Sequence, residues 1–117
     1  MGTVIDFTYT PEFLKSAKVL AKRYKSFSSD LKELLNEITL NPQTGIDLGN
    51  GLRKLRMAIK SKGRGKSGGA RVITLTIVAE ESRSNITLLY VYDKSDMANV
   101  SDARLRQIIS NNDLPIK

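Results

Sequence analysis

Lys54 and Arg56 stand two residues apart in GLRKLR, and Arg71 follows further along behind a pair of glycines. Three cations brought to one place can hold a phosphate and steady the charge that develops on it during a reaction. The stretch GLRKLRMAIKSKGRGKSGGAR, from Gly51 to Arg71, also carries Arg53, Lys60, Lys62, Arg64 and Lys66, and no carboxylate lies between Asp47 and Glu80. The chain has a net charge of +7, and outside this stretch its cations and carboxylates nearly balance. Such crowding repels itself and becomes tolerable where a polyanion neutralises it.

Composition narrows the chemistry. There is no Cys, which excludes disulfides and thiolate metal sites, and no His, which removes the commonest metal ligand and the usual general base. The loop KSKGRGKSGG invites comparison with a phosphate-binding P-loop, but neither Lys60 nor Ser61, where that pattern's first glycine would fall, is a glycine, and a strand rather than a helix follows. Its glycines and its cations Lys60, Lys62, Arg64 and Lys66 suit a looser role, following an RNA backbone with Arg53. Tyr90 and Tyr92 alternate along an apolar strand beside these cations, where a tyrosine can stack on a nucleobase. No apolar run reaches membrane-spanning length and no signal peptide opens the chain, so a cytoplasmic location is expected.

The elements that position these residues follow from periodicity. Val4–Tyr9 alternates as a short strand. Thr10-Pro11 starts a helix, with Phe13, Leu14, Ala17, Leu20, Ala21 and Tyr24 as its apolar face and Lys15, Lys18, Lys22, Arg23 and Lys25 on the solvated side. A second helix is expected from Ser29 or Asp30, with Asp30 and Glu33 in capping-box spacing and Leu31, Leu34, Leu35 and Ile38 inward. Asn41-Pro42 ends it, and Asn41–Asn50 reads as a polar loop. Leu52–Ala58, Ala70–Ala79 and Ile86–Asp93 read as strands, with Lys54 and Arg56 on the side away from Leu55 and Met57. By the same alternation Arg71 shares a side with Ile73, Leu75 and Ile77, so either that strand is buried on both faces or Arg71 precedes the regular pleat. Leu89 and Val91 are expected opposite Tyr90 and Tyr92. Ser101 caps a last helix with Leu105, Ile108 and Ile109 inward. The fold class is α+β: one domain over residues 1–117, with helices on one face of a small, mostly antiparallel sheet and an N-terminal helical hairpin.

GLRKLR, the basic loop KSKGRGKSGGAR followed by VI, and LLYVYDKSDMANVS, in this order, resemble the RelE-like toxins of bacterial toxin–antitoxin modules, most closely the HigB-type branch. The resemblance spans roughly Phe7 to Ile109. It implies a microbial-RNase-like fold and a ribosome-dependent endoribonuclease that inhibits translation by cutting mRNA in the ribosomal A site. It also implies a cognate antitoxin with a helix-turn-helix domain, through which alone the toxin would reach operator DNA. The family's catalytic residues are Lys and Arg. By position they fall on Lys54, Arg56, Arg71 and Lys94. The tyrosine that RelE uses downstream has no counterpart in Asp96–Ala103, and Thr74 stands where relatives often carry a tyrosine.

On this reading a ribose 2′-OH attacks the adjacent phosphate while Arg56 and Arg71 hold the developing charge. Neighbouring cations disfavour a further charge on Lys54, which suits it to take the proton, and Tyr92 or Lys94 supplies one to the leaving oxygen. Neither metal nor cofactor is called for. The alternatives are a gyrase-inhibiting toxin of the ParE type, which does not need the trio of Lys54, Arg56 and Arg71, and a catalytically decayed RNA-binding relative, to which the missing tyrosine and histidine point.

Overall fold

A computed structural model describes residues 4–63, 68–80 and 82–115. The elements in order are β1 (Val4–Tyr9), α1 (Pro11–Arg23), α2 (Phe27–Leu40), β2 (Ile46–Gly49), β3 (Leu52–Met57), a single 3-10 turn (Lys60–Lys62), β4 (Ala70–Glu80), β5 (Arg83–Asp93) and α3 (Asp102–Asn111). Arg64 and Lys66, two of the loop cations, lie outside the described residues.

The strands form a five-stranded sheet in the order β1-β5-β4-β3-β2. All neighbours are antiparallel except β1 and β5, which run parallel with Val4 opposite Arg83. The long helical connection between β1 and the rest makes that parallel pairing possible. Thr10 caps α1 by accepting the Phe13 N–H at 3.0 Å, and its hydroxyl also donates to the Leu89 carbonyl, so the helix start is tied to β5.

The α1–α2 hairpin covers one face of the sheet. Phe13, Leu20, Phe27, Leu34 and Ile38 pack there on Leu55, Met57, Val72, Leu88 and Val91. On the other face α3 contributes Leu105, Ile108 and Ile109 against Ile73, Leu75, Leu89 and Tyr92. The expectation of all helices on one face is thus corrected: β4 and β5 are apolar on both sides and need cover on both. This is also why Arg71 can share a side with Ile73 and still lie in the pleat.

Other differences are local. β2 occupies part of the expected polar loop and turns into β3 through Gly49, Asn50 and Gly51, all at positive φ (89°, 54° and 86°). An Asn-Gly pair between two strands is the standard sequence mark of such a tight hairpin. α2 begins at Phe27, so Asp30 is not its cap. That carboxylate is buried within the helix and accepts from the Ser26 hydroxyl and the Lys60 amide. The buried stripe of α1 is narrower than its apolar spacing suggests, since Leu14 stays 56% exposed and Ala21 is exposed too. A bulge leaves Leu89 unpaired between Tyr90, opposite Ile73, and Leu88, opposite Thr74. The extra residue puts Leu89 in the same cluster as Tyr92 rather than opposite it.

Candidate active site

The pairing register sets a row of side chains across three strands. Arg56 on β3 lies directly opposite Arg71 on β4, and Arg71 directly opposite Tyr92 on β5. Lys54 is one row along, opposite Ile73. Alternation sends Leu55 and Met57 into the core under the hairpin, so Lys54, Arg56 and Arg71 share the α3 side of the sheet. Gly69 makes this register attainable, because a Cβ there would come within 2.1 Å of the Met57 carbonyl oxygen. Thr74, by contrast, is buried and faces the hairpin side, away from the row.

Like charges directly across two strands repel, and Arg71 is only 6% exposed. Its guanidinium donates to the Ala70 carbonyl at 3.1 Å. Lys54 reaches Asn99 Oδ1 at 3.4 Å, and the Tyr92 hydroxyl reaches the same oxygen at 3.5 Å. Asn99 lies on the loop between β5 and α3 and escaped the sequence reading. Its signal was its place two residues before the helix cap Ser101, inside a block singled out for other residues. Burial pushes the Tyr92 phenol above its ordinary value, against the pull of the Arg71 charge and an N–H from Val100. The hydroxyl therefore keeps its proton at neutral pH and suits a donor rather than a base.

The remaining sequence candidates lie elsewhere. Arg53 points to the hairpin side, where it donates to the carbonyls of Gln43, Thr44 and Gly45 and lies 3.8 Å from Asp47, holding the segment before β2. Lys60 pairs with Glu33 of α2 at 2.6 Å. Lys62 is drawn inward to Asp93 at 2.8 Å and sits 5.7 Å from the centre of the Tyr24 ring. Tyr90 is half-buried against Tyr92 and the Arg104 guanidinium, beside α1 rather than beside the basic loop. Lys94 is exposed, one residue past β5, with its backbone N–H on the Gly69 carbonyl.

Asp93 collects a second set of charges on the hairpin side. It is fully buried and accepts from Tyr24 at 2.5 Å, Arg23 at 3.1 Å, Lys62 and Ser95. Burial pushes its carboxyl up, but the donors from Lys62, Ser95 and Tyr24 outweigh burial and hold it well below the usual carboxylate range. Among the described residues no group of carboxylates is arranged to hold a metal ion.

The α+β fold thus presents a row of cations and a tyrosine on one face of its sheet, an arrangement able to hold an anion. The family model described as the RelE toxin of the RelE/RelB toxin–antitoxin system matches residues 14–112. The chain belongs to this RelE toxin family and is the toxin partner of a toxin–antitoxin system, with a cognate antitoxin as its counterpart.

Proposed function

We infer that this toxin is an mRNA endoribonuclease that works in the ribosomal A site without a metal ion. The observation that carries the reading is the in-register row Arg56–Arg71–Tyr92 with Lys54 beside it. A scissile phosphate over this row meets two guanidiniums that stabilise the charge on its non-bridging oxygens as the 2′-OH attacks. Lys54 takes the 2′-OH proton, and Tyr92 gives its proton to the departing 5′-oxygen, leaving a cyclic phosphate and a free 5′-hydroxyl. The site's own cations supply the positive charge that a metal would bring. Lys94 remains within the proposal as a cation flanking the row, and Tyr90 as a stacking platform at its edge. Arg53, Lys60 and Lys62 are left out, because their charges hold the fold.

Expression of the toxin without its antitoxin tests this. Growth arrest should come with new mRNA 5′-ends inside translated reading frames, and Lys54→Ala should relieve both. Arrest with intact mRNA and damaged DNA would favour a gyrase-directed toxin instead. A purified toxin that cuts naked RNA as fast as translated RNA would remove the ribosome from the mechanism.

A further inference from the structure

Lys54 and Tyr92 stand two strands apart, on β3 and β5, with Arg71 on the strand between them. Side chains so separated do not come together unless something spans the gap. Asn99 spans it: Lys54 Nζ and the Tyr92 hydroxyl both donate to its Oδ1, at 3.4 and 3.5 Å. Bonds of this length are weak, and their effect is directional, since they select one rotamer for each of two otherwise mobile groups. The loop that carries Asn99 is itself anchored. Val100 is buried in the core under α3, and the Ser101 hydroxyl caps α3 by accepting from the Arg104 amide.

The geometry points to Asn99 as the positioning residue of this site, holding Lys54 and Tyr92 on either side of Arg71 so that proton acceptor and proton donor flank the bound phosphate. This role rests on the endoribonuclease reading above. Asn99 does not touch the reacting atoms; it acts through the two side chains it orients, so its removal harms the chemical step rather than RNA binding.

The test compares Asn99→Ala, Tyr92→Phe and their combination on translated mRNA, and follows the Tyr92 phenol by NMR titration in the free protein. Asn99→Ala is expected to lower kcat roughly 10- to 100-fold, with KM within about twofold, because misplacement of a catalytic group costs rate rather than affinity. In the Tyr92→Phe background the same change should cost less than in the wild type, because the part that acts through Tyr92 is already lost and only the part through Lys54 remains. Asn99→Gln, which keeps an acceptor amide, should recover part of the rate. The phenol should titrate at lower pH in Asn99→Ala, having lost the acceptor that holds its proton.

An unchanged kcat, a loss confined to KM, or full additivity with Tyr92→Phe would overturn the assignment. If Asn99→Ala fails to fold, the Asn99→Gln variant carries the same kinetic comparison. Should the wild-type toxin leave translated mRNA intact, the endoribonuclease reading itself fails. The titration then still decides whether Asn99 orients Tyr92, and an unmoved titration would sink it.

Discussion

The two faces of the sheet treat charge in opposite ways. On the hairpin side Asp93 gathers Arg23, Lys62 and Tyr24, while Lys60 finds Glu33 at the surface, so these three cations each meet an anion. On the α3 side Arg56 faces Arg71 directly, and Lys54 stands beside them. Matched charge contributes to the fold, whereas like charges placed opposite one another repel, a cost that an anion laid across them would relieve. The contrast separates the cations that pair within the fold from those proposed to meet RNA, which composition alone cannot do.

The sharpest way to break this contrast is Arg71→Met, which keeps most of the side-chain volume. Removing one preorganised donor of this kind typically costs 10²–10³ in rate, and the variant should lose mRNA cleavage on that scale while remaining folded by circular dichroism. Retained cleavage would mean that the α3 side is no different from the other. Asp93→Asn probes the opposite face. It deprives the partly buried Lys62 of its carboxylate and should lower unfolding stability by about 3 kcal/mol, read from urea denaturation.

The same carboxylate carries a pH signature. Its folded-state value lies below the unfolded one, so its stabilisation is fully present above the ordinary carboxylate range and fades as pH falls through and below it. Thermal midpoints of the wild type should therefore drop on acidification below about pH 4, and those of Asp93→Asn should drop less. The smallest expected effect has the opposite sign. Arg56→Gln relieves a cross-strand repulsion and should raise stability by a few tenths of a kcal/mol, on the scale of such pairs, even as it lowers cleavage. A loss of stability there would show that Arg56 is another structural cation.

Much of the fold was readable from periodicity: β1, α1 with its Thr10 cap, and α3 with its Ser101 cap stand where the residues put them. The side shared by Lys54 and Arg56 followed from simple alternation. What escaped was decided by contacts distant in sequence. Lys62 looks like any other loop cation until β5 delivers Asp93 beneath it, and α3 was legible as a helix without revealing which face of the sheet it would cover. β2 was missed for a local reason, since the Asn50-Gly51 turn was in plain view but its flanking strand is only four residues long and exposed throughout. Asn99 gave no periodic signal, because a loop residue has none.

The parallel pairing of β1 with β5 carries a consequence for how this protein is made. The first strand to leave the ribosome must wait for the last one before it has a neighbour, since β5 separates it from the rest of the sheet. β5 also brings Tyr92 and Asp93, so neither the proposed catalytic row nor the buried charge cluster exists in a nascent chain that stops short of it. Non-local pairing of this kind closes late. A cell translating such a protein is exposed to a finished weapon only after the final strand has emerged, which leaves an interval in which a waiting partner can meet it.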